Sequence, residues 1–135
     1  MTSHYWYQKT ITVESGQDVT LTCRAPNNNI IVVEWSRADL GDEYVLFYQD
    51  GHFVPDDQHP SFKNRVDLQD RQMKDGDMSL ILKDVTTNDT GTYECSVAQK
   101  EPNQERPCLK LINSTNLHVD PPGQTGGDTE DGGKK

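Results

Sequence analysis

The chain lacks any run of apolar residues approaching the ~20 that a membrane-spanning helix needs, and its first residues have neither a basic start nor an apolar signal core. It has no Gly-x-Ser-x-Gly elbow, no phosphate-cradling glycine loop and no His-Glu-x-x-His pair. The commoner hydrolase, nucleotide and zinc-protease chemistries therefore have no motif to rest on. Positive charge is scarce too: 13 Lys and Arg stand against 22 Asp and Glu, a net charge of −9. The shortfall is not a property of the tail, because residues 1–119 alone hold 18 acids and 11 bases. Such a surface repels phosphate backbones and anionic lipid heads, which argues against nucleic acid and peripheral membrane attachment and leaves protein or carbohydrate partners.

What is present fits one domain and a tail, since 135 residues suffice for a single core but not for two of ordinary size. The apolar residues make up only 32% of the chain, yet they gather in short runs between residues 11 and 119. Val19, Leu21 and Cys23 alternate with Asp18, Thr20, Thr22 and Arg24, the period of a half-buried strand. Ser15-Gly16 marks a turn that ends an edge strand near Ile11–Val13. Asn27–Asn29 is a polar loop, and Ile30–Arg37 is rich in β-branched residues, with Val33 and Trp35 on one face and Glu34 and Ser36 on the other. A loop through Gly41 leads to a strand over 43–48, and Asp50-Gly51, a strong hairpin signal, leads to a short edge at 52–54. Phe62, Arg65, Val66 and Leu68 are expected in one strand, Met78, Leu80 and Leu82 alternate inward in the next, and Leu109–Val119 forms the last. No internal repeat and no helix longer than a turn is expected. The Pro/Gly-rich acidic stretch after Asp120 has nothing apolar to bury and reads as a flexible stalk or linker.

The segment Asp89-Thr-Gly-Thr-Tyr-Glu-Cys95 combines an acid and a glycine at a turn with a tyrosine two residues before a cysteine, so that Tyr93, Cys95 and Val97 share one face of a strand. Trp35 stands twelve residues after Cys23. Together Cys23, Trp35, Arg65, Leu80, Leu82, Asp89, Gly91, Tyr93 and Cys95 resemble the variable-type (V-set) immunoglobulin domain over residues 9–119, with 1–8 as an N-terminal extension and 120–135 as the stalk. The resemblance implies an all-β fold, a sandwich of two antiparallel sheets with Greek-key connections, and the strands between Trp35 and Cys95 match the two extra ones of the variable type.

It also implies a disulfide between Cys23 and Cys95, an Arg65–Asp89 ion pair across one end of the sandwich, and a tyrosine corner at Tyr93. Closing a loop of 72 residues stabilises by about 4 kcal/mol on the chain-entropy model. Disulfide use points outside the cytosol, in keeping with two glycosylation acceptors, Asn88-Asp-Thr and Asn113-Ser-Thr. On this reading the segment is a mature ectodomain of a single-pass membrane protein whose signal and anchor lie elsewhere. The last strand, Leu109-Lys-Leu-Ile-Asn-Ser-Thr, lacks the aromatic-Gly-x-Gly bulge of antigen receptors, and the style is nearer to the butyrophilin and costimulatory-ligand branch or the junctional adhesion and adenovirus-receptor branch.

No cofactor is expected and no metal site, because His4, His52, His59 and His118 are scattered and Asp56, Asp57 and His59 read as solvated loop residues. Glu34 and Glu94 are read as neighbours on an acidic outer face rather than as an acid/base pair. Cys108, the odd cysteine, is a candidate for an interchain bridge and hence a homodimer, for a free or capped thiol, or for a rearranged pairing. The function implied is protein recognition at the cell surface, with a heterophilic partner, self-adhesion or pathogen attachment as the forms it takes. The binding face would be the sheet of strands 30–37, 43–49, 92–98 and 109–119, with Glu34, Ser36, Leu46, Tyr48, Glu94, Ser96, Ala98 and Lys110 outward, Leu46 and Tyr48 as anchors, and the Lys100–Arg106 loop as a contributor to partner choice.

Overall fold

The computed structural model describes residues 8–26, 29–100, 106 and 108–123. Among the described residues nine strands run in chain order: β1 Gln8–Glu14, β2 Val19–Leu21, β3 Ile30–Arg37, β4 Leu46–Gln49, β5 His52–Phe53, β6 Val66–Leu68, β7 Leu80–Leu82, β8 Gly91–Gln99 and β9 Lys110–Asp120. They form two sheets, β1-β9-β8-β3-β4-β5 and β2-β7-β6. The two sheets pack as the expected sandwich. Between the named strands all pairings are antiparallel except β1 with β9, which run parallel from Gln8↔Ser114 to Glu14↔Asp120.

The alternation read in the sequence produces the core. Val19, Leu21 and Cys23 from one sheet meet Val33, Trp35, Tyr93, Cys95 and Val97 from the other, with Met78, Leu80 and Leu82 closing the layer. Cys23 and Cys95 are joined, and Trp35 is paired in register with Cys95. The indole is wholly buried, and its N–H donates to the Met78 carbonyl at 2.9 Å, so the ring gives its full apolar area to the core without an orphaned donor. At the β4–β5 hairpin Asp50 and Gly51 have φ of 51° and 89°, the two positive values that a tight primed turn requires and that glycine adopts without strain.

Several expectations about element boundaries shift. Phe62 and Arg65 precede their strand, Phe62 lying in a 3-10 turn over Pro60–Phe62 before β6, and Met78 precedes β7. The strand expected over 43–48 begins at Leu46, because Tyr44 is held instead in an isolated bridge to Gln58. His4, Asn27, Asn28, most of the Lys100–Arg106 loop and the stalk beyond Gly123 lie outside the described residues.

Candidate functional site: one end and one face of the large sheet

The stretch from Asp89 to Cys95 builds one end of the sandwich. Thr86 and Asp89 cap a 3-10 turn reciprocally, and the Asp89 carboxylate accepts from the Thr86 N–H at 2.9 Å. The same carboxylate, 2% exposed as a residue, takes both terminal nitrogens of Arg65 in a forked pair. Tyr93 leaves the turn and donates its hydroxyl proton to the Asp89 carbonyl at 2.6 Å, closing the tyrosine corner. Burial pushes the Tyr93 hydroxyl up to about 12, so it remains a donor throughout the physiological range.

One residue of this end had no signal in the sequence. Arg37 donates to the Asn88 carbonyl and to Asp39, and its guanidinium lies 5.5 Å from the Phe62 ring centre and 5.8 Å from that of Tyr93. Arg65 approaches the same Phe62 ring at 5.9 Å. A buried phenyl thus sits within reach of two guanidiniums, an arrangement favoured by the ring quadrupole. Arg37 and Phe62 stand 25 positions apart in the chain, and nothing local in either neighbourhood announces the contact.

The outer face of the large sheet follows from register. Ser36 pairs with Glu94, Glu34 with Ser96 on one side and Phe47 on the other, and Ser96 with Leu111. Directly opposed residues share a face, so Glu34, Ser36, Phe47, Glu94, Ser96 and Leu111 form one surface. Burial first, and the charge of Glu94 second, raise the Glu34 carboxyl above its ordinary value. The Tyr44 and Phe47 rings lie 5.1 Å apart beside this patch, and with Val54, Asp56 and Asp57 they line a shallow cavity of about 170 Å³. Aromatic surface beside half-buried acids suits a partner with apolar and basic groups to place there, since aromatics anchor interfaces and charge selects among partners.

Four of the residues expected outward are placed differently. Leu46 and Tyr48 are 2% and 5% exposed and belong to the core, because Leu46 opposes Trp35 and Tyr48 opposes Val33. Tyr48 acts as a brace: its hydroxyl donates toward the Gly51 and Arg71 carbonyls at 2.9 and 3.1 Å, and its ring meets Phe53 edge-on. Phe47, paired with Glu34, is the aromatic of β4 that turns outward. Lys110 is exposed but pairs with the inward residue Val97 across a register shift, which turns Leu111 outward in its place. Ala98 keeps its outward parity beside Val32 yet is only 4% exposed. Glu34, Ser36, Glu94 and Ser96 are half-buried on the expected face.

Asn88 is exposed on its turn, whereas Asn113 pairs in register with Cys95 and sends its amide N–H to the Thr22 carbonyl at 2.9 Å. Cys108 is exposed just before β9. His59 uses Nδ1 to accept from the Ser61 N–H at 3.2 Å, which commits that ring nitrogen to capping a turn. Among the described residues no helix is long and apolar enough to cross a membrane.

A two-sheet sandwich with a parallel first strand, a buried tryptophan on its disulfide and a tyrosine corner defines an immunoglobulin variable-type architecture. The chain belongs to the immunoglobulin V-set domain family, whose model matches residues 7–120. It is 31% identical to mouse programmed cell death 1 ligand 1 over 73% of this chain and 35% of that protein. It is 34% identical to human junctional adhesion molecule-like over 70% and 24% respectively. The chain therefore spans about a quarter to a third of the length of these curated relatives. In fold it matches a chain of the crystal structure of ICOS in complex with ICOS-L and an anti ICOS-L VNAR domain, with a TM-score of 0.69 and 23% identity over 85% of this chain and 56% of that one. Both expected branches are thus represented among its relatives. The chain is a V-set domain homologous to immune ligands and adhesion molecules, a class of recognition modules and not of enzymes.

Proposed function

We propose that this domain is the extracellular recognition module of a membrane-anchored immune receptor or ligand, and that it binds a cell-surface protein through the outer face of β9, β8, β3 and β4. The observation that carries the reading is the pairing of Glu34 with Phe47 across β3 and β4 and its closeness to Ser96 and Leu111. That register sets an acid among apolar groups on a sheet face whose rim adds Asp56 and Asp57. The partner is heterophilic. A symmetric self-pair centred on Glu34 and Glu94 would bring these carboxylates against their own copies, and opposed like charges are costly at an interface.

Tetramers of the domain applied to immune and epithelial cells test the assignment, with Phe47→Ala and Phe53→Ala as paired variants. Staining lost with Phe47→Ala but kept with Phe53→Ala supports the face. Sedimentation of the soluble domain separates the adhesion alternative: a concentration-dependent dimer that dissociates on Phe47→Ala would establish self-recognition instead. Cys108→Ser under non-reducing electrophoresis distinguishes a covalent dimer from both.

A further inference from the structure

The two Asn-x-Thr triplets are alike in sequence, and the fold treats them oppositely. We propose that Asn88 carries an N-linked glycan and that Asn113 does not. Asn88 stands exposed at the middle of the 3-10 turn Thr87–Asp89. The groups of this residue tied into the fold are its backbone ones: the N–H donates to the Thr86 hydroxyl at 3.2 Å and the carbonyl accepts from Arg37 at 3.0 Å. A sugar on the side-chain amide disturbs neither bond. A surface turn is also the setting in which such acceptors are used.

Asn113 has the reverse geometry. Its Nδ2 donates to the Thr22 carbonyl, its Oδ1 is buried, and the following Ser114 and Thr115 are 4% and 0% exposed. Thr22 follows β2 of the small sheet, while Asn113 lies on β9 opposite Cys95. The half-buried side chain therefore reaches from β9 to the segment just after β2 and ties the two sheets together on the side of the disulfide. A glycan on Nδ2 of the nascent chain would have to fit against Thr22 and the buried Oδ1, so molecules carrying it would close the sandwich less readily.

The placement also says what the sugar does. Thr90, the acceptor triplet's third residue, takes a hydrogen bond from the Val119 N–H at 3.0 Å. Asn88 consequently stands at the end of the domain where β9 leaves at Asp120, whereas Lys100 and Cys108 lie at the other end of β8 and β9. A glycan there shields the base of the domain and leaves the Glu34–Phe47 face uncovered.

The test is expression behind a secretion signal in mammalian cells, followed by peptide mapping after enzymatic deglycosylation, which converts a glycosylated Asn to Asp. The expected result is conversion at position 88 alone, with all of the mobility shift lost in Asn88→Gln and none of it lost in Thr115→Val, which removes the second triplet without touching Asn113. Conversion at position 113, or a secreted folded protein unmodified at both positions, overturns the proposal. Because the experiment supplies the secretory route, its failure leaves the recognition reading standing and is distinguishable from a failure of that reading.

Discussion

Arg37 crosses directly over Gly91: a Cβ placed on that glycine would lie 2.7 Å from Arg37 Cδ and 3.2 Å from Cγ. The glycine of the Asp-x-Gly-x-Tyr-x-Cys stretch is thus required by a side chain from the neighbouring strand, and Gly91 carries no positive φ that would account for it otherwise. Arg37 in turn cannot simply swing aside, since Asp39, the Asn88 carbonyl and two aromatic rings hold it.

Gly91→Ala is therefore expected to destabilise the domain by about 1–3 kcal/mol, the usual cost of overpacking. In an Arg37→Ala background the same substitution should cost little. Urea titrations of the four proteins form a double-mutant cycle, and equal penalties in both backgrounds would refute the steric account.

Removing the charge of Asp89 leaves Arg65 facing an amide at a largely covered site. Asp89→Asn is expected to cost about 3 kcal/mol, as when one partner of a buried ion pair is removed. The exposed pair Arg71–Asp67 serves as the comparison, because exposed pairs contribute little. An Asp89→Asn loss no larger than that of Asp67→Asn would place the Arg65 pair among ordinary surface contacts.

Glu34 gives a pH dependence of defined sign. Its folded-state carboxyl keeps its proton to a higher pH than the ordinary 4.5, chiefly through burial and then through Glu94. Between those two pH values the folded state binds more protons than the unfolded one, so its contribution to stability falls as pH rises through the window and stays low above it. Glu34→Gln should raise the thermal midpoint at pH 7, and the gain should vanish below about pH 4.5. A gain that persists undiminished at pH 3.5 would show that the carboxylate's charge is not its source. If the outer face binds a basic partner, the same substitution should weaken that binding about tenfold, which corresponds to about 1.4 kcal/mol.

Thr115 is wholly buried, and among the described residues its hydroxyl has no hydrogen-bond partner. Replacing it by the near-isosteric valine removes an unmet desolvation cost and is expected to stabilise by about 1 kcal/mol. A destabilisation in chemical denaturation would reveal a bond that the hydroxyl makes, for example to a buried water.

The scaffold was legible because its constraints are local or fall at fixed spacings: cysteine, tryptophan at twelve, and an acid, glycine, tyrosine and cysteine in seven residues. The outer face of the large sheet was less so, for a reason visible in β4. Tyr44-Val-Leu-Phe-Tyr48 is apolar at every position, so a period-two pattern has no phase there, and only pairing with β3 decides that Leu46 and Tyr48 turn in and Phe47 turns out. At β9 the register shift between Cys95 and Ser96 exchanges the roles of Lys110 and Leu111, and a bulge of this kind leaves no mark in the residues around it. The contact of Arg37 with Gly91 is a relation across strands and has no counterpart along the chain.

The parallel pairing of β1 with β9 bears on how the domain carries load. Glu14 and Asp120 lie side by side, while Gln8 and Ser114 mark the opposite limit of the same ladder. A pull that draws Gln8 and Asp120 apart would slide the two strands lengthwise past each other, stressing seven residue pairs together instead of peeling them off one at a time. The terminal strands form a shear joint, which resists being drawn open from its ends.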